Sequence, residues 1–269
     1  MTTRKRYLTD VTEAEWRILA PLMPSPSQTG RPRTHAWREI LNAIFYVVRG
    51  GLAWRMLPHD LPPWQTVYHY FRKWRKDGTW EQWNTALREA VRHKAGRDKE
   101  PSAAVLDSQS VKSAEGGEAI GYDAGKQIHG RKRHILVDTL GLLLMVIVTS
   151  ASLQDRDGAK LLLQRLFDRG KKSVHNRWCR LKLIWADSAY GGELILWVKK
   201  NLGWVLEIIK KLEGQKGFQI LPKRWKVERT LGWLTRNRRL SRDYERLPET
   251  SEAFIYIAMI RLMTRRLAA

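Results

Sequence analysis

Cysteine is almost absent: Cys179 is the only one in 269 residues, which excludes an internal disulfide framework and a cysteine-rich zinc site. Long apolar runs are missing as well. The longest, Leu140 to Val148, falls far short of the roughly 20 residues that span a bilayer. No apolar segment follows the opening Met1-Thr2-Thr3-Arg4-Lys5-Arg6, so no signal peptide is expected and the chain reads as cytoplasmic. Acids are scarce beside bases, 27 against 49, which leaves a formal net charge of +22. Against these shortages, 43% of the residues are hydrophobic, enough to bury a sizeable core and exclude wholesale disorder. Thirteen are tryptophans, rings that anchor cores and, at basic surfaces, stack on bases. The charge calls for a polyanionic partner, nucleic acid before anionic membrane.

That charge is not a tail. Residues 1–100, 101–222 and 223–269 carry net charges of +8, +7 and +7, so the folded body itself presents a basic surface suited to a long phosphate track. The first hundred residues read as helices. Thr12 with Glu15 forms a capping-box pattern, and an apolar stripe from Trp37 to Val48 stops at Gly50-Gly51. Further helices are expected over 64–76 and 80–93. The polar stretch Ala95 to Ser102 is the expected domain boundary, with residues 101–269 folding without the first hundred. Beyond it, strands alternate with helices: strands at 103–107, 133–138, 142–149, 181–187 and 204–209, helices at 159–169, 193–201, 225–240 and 249–267. This order predicts an α/β fold, a mixed sheet with helices on its faces.

Several basic segments are candidate DNA contacts. On helix 64–76, Val67, Phe71 and Trp74 form one stripe and leave Gln65, Thr66, His69, Arg72 and Lys73 outside, as in the reading helix of a helix-turn-helix; an ordinary basic amphipathic helix has the same pattern. Arg31 and Arg33, in Gly30-Arg31-Pro32-Arg33, suit an AT-rich minor groove or a plain linker. Arg131, Lys132 and Arg133 precede a strand, as either a backbone grip or a solvated hairpin. Gly121 to Lys126 lacks the spacing of a phosphate loop, which excludes a nucleoside-triphosphate site of that kind.

Two acids, Asp107 and Asp187, each follow an apolar strand directly, where sites gather in sheets with helices on their faces. Close carboxylates repel, a conflict that a divalent cation with hard oxygen ligands such as Mg²⁺ or Mn²⁺ removes; a strand-ending Asp also starts turns and caps helices. A third acid, Glu228, sits in a helix dense in Lys and Arg. At 100° per residue, Arg224 lies 40° and Arg239 lies 20° from it. An intrahelical ion pair and a third metal ligand both fit.

Asp107, the Ala186-Asp187-Ser188-Ala189-Tyr190-Gly191 segment and Val227-Glu228-Arg229-Thr230 together resemble the DDE transposases of bacterial insertion sequences, of insertion-sequence-five type within the insertion-sequence-four/five superfamily. Gly130 to Thr139 and Pro63 to Tyr68 extend the resemblance over nearly the whole chain. It implies an RNase H-like catalytic domain over 101–269, preceded by a small all-α helix-turn-helix-like DNA-binding domain over 1–100. It also implies Asp107, Asp187 and Glu228 as catalytic triad and ligands of two Mg²⁺ or Mn²⁺ ions. The implied partner is double-stranded DNA, both element ends and target, held by a homodimer or higher assembly in the cytoplasm at the nucleoid. In the family's helix signature Arg224 and Glu228 fit, whereas Leu221 stands at the Tyr position and Thr235 at the Lys position, leaving Arg236 or Arg239 to supply that cation. Two other readings of the same chain are an inactive relative that only binds element ends and a general RNase H-like nuclease.

Overall fold

The computed structural model describes residues 4–25, 33–114, 116–172, 178–209 and 222–269. Helix α1 (Glu13–Leu19) starts at the expected capping box: the Glu15 amide donates to Thr12 and the Thr12 amide to the Glu15 carboxylate. Helix α2 (Trp37–Gly50) buries Ile40, Leu41, Ile44, Phe45 and Val48. It ends at Gly51, whose φ of 76° is a left-handed cap that favours glycine, and a Cβ there would also press on the Arg238 side chain at 2.9 Å. Helices α3 (Trp64–Lys76) and α4 (Thr79–Lys94) follow, joined by packed rings: Trp74 meets Trp80 and Trp83 at centroid distances of 5.1 and 5.0 Å.

The sheet contains β1 (Ala103–Lys112), β2 (Gly121–Asp123), β3 (Ile128–Asp138), β4 (Leu143–Ser150), β5 (Leu183–Ala186) and β6 (Val205–Ile208). Its order is β2-β3-β1-β5-β6, with β4 also on β3. The β1–β3–β4 part is antiparallel and the β1–β5–β6 part parallel, so β1 is the strand at which the sheet changes character. Helices α5 (Asp155–Lys172) and α6 (Glu193–Leu202) cover one face, with Leu162, Leu163, Leu166 and Val198 clustered with Leu106, Leu136 and Ile184.

The other face carries α7 (Pro222–Thr235) and α8 (Pro248–Ala268). The helix expected to run to Leu240 stops at Thr235. Asn237 is extended and its side-chain amide donates to the Leu234 carbonyl, while 238–240 forms a separate 3-10 turn. In α8 every residue from Ser251 to Ile260 is buried, including the polar Ser251 and Glu252, so the helix is enclosed on all sides. On its sheet side the Val148 amide donates to Glu252 and Tyr256 reaches Met145; on its other side Phe254 stacks on Phe71 at 4.9 Å and Arg261 pairs with Glu15 at 2.7 Å. One core therefore crosses residue 100. The same boundary is bridged by the buried Arg92–Asp138 pair at 2.8 Å and by Asn84 donating to the Leu143 carbonyl. Among the described residues no helix is long and apolar enough to cross a membrane.

Candidate active site

The parallel ladder between β1 and β5 pairs Val105 with Trp185. Two residues further along lie Asp107, still within β1, and Asp187, extended and one residue past the end of β5. A period of two puts both carboxylates on the face that Val105 and Trp185 occupy, side by side on neighbouring strands. Helix α7 lies across this face. Its Val227 and Leu234 are buried in the shared core, Thr230 donates to the Gly141 carbonyl at 2.7 Å, and Lys223 sits 5.0 Å above the Trp185 ring while pairing with Glu207 at 3.0 Å. This docking sets Glu228 on a helix that packs against β1, β3 and β5. Arg224, one turn earlier, lies 3.4 Å from Glu228 and 3.6 Å from Asp187, so one guanidinium joins the helix acid to the strand acid.

Burial pushes the Asp107 carboxyl up to about 6; the Ser108 amide, 2.8 Å from Oδ1, opposes this and the neighbouring Asp187 adds to it. Asp187 also accepts from the Ala189 amide at 2.9 Å and caps the turn 188–190. The turn-capping role weighed for a strand-ending Asp is thus real and coexists with its place in the cluster. The three carboxylates offer the hard oxygen donors that Mg²⁺ and Mn²⁺ prefer, around an acid that burial pushes toward its neutral form. Among the described residues, no set of three His, Cys, Asp or Glu side chains is already drawn together closely enough to hold an ion, and Arg224 is the cation that the outer two share.

Behind the acids, on the α5 side of β1, lies a polar layer that the sequence reading missed. Ser108 donates to Asp155 at 2.8 Å, and Lys132 pairs with Asp155 at 3.0 Å and with Asp123 at 3.4 Å. Tyr190 is buried there, its hydroxyl pushed well above its ordinary value by burial and then by Asp107. The signal was the alternation Asp107-Ser108-Gln109-Ser110, which marks a strand continuing past its acid.

The segment Arg131-Lys132-Arg133 requires a correction. All three side chains are buried, at 0%, 5% and 0% exposure, and face no solvent from which DNA could approach. As part of β3 they alternate. Lys132 joins the Asp155 layer, while Arg131 and Arg133 point to the α7 face and bond the segment after α7. Arg131 donates to Asp243 at 2.9 Å and to the Glu245 and Arg246 carbonyls at 2.7 Å, and Arg133 donates to the Leu240 carbonyl at 2.7 Å. Losing one partner of a buried ion pair costs about 3–5 kcal/mol. Arg131→Ala is therefore expected to lower unfolding stability by that amount in urea titration; a loss under about 1 kcal/mol would contradict this role.

Arg239 is likewise displaced. Because α7 ends at Thr235, Arg239 does not share the face of Glu228; it pairs with Glu245 at 2.7 Å and donates to the Leu52 carbonyl. Thr235, the last residue of α7, and Arg236 just beyond it are exposed, and the Arg236 carbonyl accepts from Arg49. On α3, Gln65, His69, Arg72 and Lys73 are exposed and Thr66 half-buried, opposite the buried Val67, Phe71 and Trp74. Arg33 is exposed with its guanidinium 3.8 Å over the Trp37 ring; Arg31 and Leu221 lie outside the described residues.

Two family descriptions and two relatives match parts of the chain. Residues 11–84 match a family described as "Putative transposase of IS4/5 family", and residues 98–263, more than half of the chain, match the family "Transposase DDE domain". A Burkholderia cepacia protein named "Insertion element IS402 uncharacterized 16.2 kDa protein" is 28% identical over 116 residues, 39% of this chain and 75% of its own length. The "Putative transposase for insertion sequence element IS402", also from Burkholderia cepacia, is 30% identical over 127 residues, 47% of this chain and 59% of its own length. No solved structure matches the chain. The strand acids and the α7 acid both fall inside the longer match, and the chain belongs to the DDE transposases of the insertion-sequence IS4/5 type.

Proposed function

We propose that this chain binds the terminal inverted repeats of an insertion sequence and catalyses metal-dependent strand cleavage and strand transfer, with Asp107, Asp187 and Glu228 as the catalytic acids. The observation that carries the reading is the matched position of Asp107 and Asp187 on adjacent parallel strands, with Glu228 tied to Asp187 through Arg224. An antiparallel β1–β3–β4 meander joined to the parallel β5 and β6 supports an RNase H-like catalytic part, and the exposed polar face of α3 supports end reading by residues 1–100.

The acids would hold two divalent cations, Mg²⁺ or Mn²⁺, which when bound stabilise the attacking and leaving oxygens of an in-line displacement at phosphorus. The chain's own part is to fix the three carboxylates, on two rigid strands and one docked helix, and to present Arg224 where a phosphate's charge would lie. Water attack would release a 3′-hydroxyl, and that hydroxyl would then attack target DNA at the same site. Joining two ends calls for an assembly of more than one copy on double-stranded DNA, in the cytoplasm at the nucleoid.

The test uses a supercoiled plasmid carrying the element's ends, incubated with the full chain and Mg²⁺ or Mn²⁺. Metal-dependent nicking at the ends followed by joined products is expected. No cleavage would overturn the enzyme reading, and cleavage without end preference or joining would leave a general nuclease.

A further inference from the structure

A cleft of about 1190 Å³ opens between the helical part and the segment after α7, larger than the roughly 300–1,000 Å³ of an ordinary small-molecule pocket. Its walls carry four rings. Trp54, Trp64 and Tyr68 come from the helical side, and Tyr244 stands opposite. Tyr68 and Tyr244 are 39% and 41% exposed, a large fraction for aromatic side chains not needed to close a core. Arginines brace these rings: Arg55 lies 5.5 Å from the Trp64 centroid and Arg239 5.6 Å from that of Tyr244.

The wall bearing Tyr244 is held firmly. Arg131 donates to the Glu118, Glu245 and Arg246 carbonyls, and the Glu118 amide donates to the Arg246 carbonyl at 2.9 Å, so the buried arginine fastens two adjoining segments of one wall of this cleft. Its place relative to the acids is fixed by β1. Ser113 bridges to Asp243, the residue before Tyr244, and stands six residues along the chain from Asp107, about 20 Å of extended strand. That is less than one turn of duplex, about 34 Å. Rings with arginine support and open faces are the usual platform for unpaired bases, which stack without regard to sequence.

We infer that this cleft binds unpaired bases of a DNA strand whose neighbouring phosphates lie at the acids, with Tyr244 and Trp64 as opposed stacking platforms. The inference rests on DNA being the substrate, not on end recognition or cleavage. The test is fluorescence anisotropy with the full chain in EDTA, comparing a labelled 12-nucleotide oligothymidylate with a blunt 12-base-pair duplex. Stacking worth about 1–3 kcal/mol per base converts to about 5- to 150-fold in Kd. Tyr244→Ala is expected to weaken single-strand binding within that range and duplex binding by less than twofold, and Tyr244→Phe to restore it. Trp64→Leu, on the opposite wall, gives an independent second loss if Tyr244→Ala fails to fold. Wild-type affinity for the single strand in both folded variants, or equal losses on single strand and duplex, would overturn the inference. Neither inverted repeats nor metal enter this assay, so failure of the transposition reading leaves its result intact.

Discussion

Asp187→Ala is expected to lower metal-dependent cleavage of element ends by roughly 10³-fold or more, while binding of those ends stays within a few-fold of wild type. If Asp187 holds the metal as proposed, its loss forfeits several kcal/mol of transition-state stabilisation, and each 1.36 kcal/mol is tenfold in rate. Alanine also removes the cap on the Ala189 amide, a structural loss of about 1 kcal/mol. Asp187→Asn separates the two effects, because the amide oxygen still accepts from Ala189 but carries no charge. Both variants should be equally inactive, with only the alanine form less stable to urea. Activity in Asp187→Asn near that of wild type would remove Asp187 from the catalytic set.

A chain lacking residues 1–100 is expected not to fold cooperatively. Helix α8 is covered by α1, α2, α3 and α4 on one side and by β4 on the other, so truncation strips the cover from residues such as Phe254 and Ile257. Fully burying one such side chain is worth about 1.5–3 kcal/mol. Uncovering several therefore consumes the whole of an ordinary domain's 5–15 kcal/mol. Asp138, fully buried, would also lose Arg92. Near-UV circular dichroism and thermal melting of the 101–269 fragment provide the check. A sharp melt near that of the full chain would show that the core does not depend on the first hundred residues. If the fragment collapses, the proposed DNA reading by the helical part is better tested by substitutions at Gln65, Arg72 and Lys73 in the full chain.

Much of this architecture was legible because local signals were strong. The Thr12 capping box, the stripe of α2 and the apolar runs of β1 and β5 each announce themselves within a few residues. Asp107 and Asp187 were legible for the same reason, each closing an apolar run. What stayed hidden depends on pairing. Burial of Arg131 and Arg133 requires Asp243 and the carbonyls of residues 240–246, more than a hundred positions away, and a basic tripeptide looks the same whether solvated or enclosed. The end of α7 was misread because helical spacing continues through Arg239, whereas the chain turns away at Asn237. The polar stretch at 95–102 is a genuine break in the pattern of elements but not in the core, since a helix from the far end of the chain packs against both sides of it.

The pairing of Val105 with Trp185 has a consequence for how this protein can vary. Two acids fixed by the register of neighbouring strands are indifferent to many changes in residue type beneath them but not to a change in length. Inserting or deleting one codon within β1 or β5 before its acid would turn that carboxylate to the opposite face, toward α5 and α6. Length changes should accumulate instead in the connections, and the short runs Ala103 to Asp107 and Leu183 to Asp187 should keep their spacing wherever the chain remains an active enzyme.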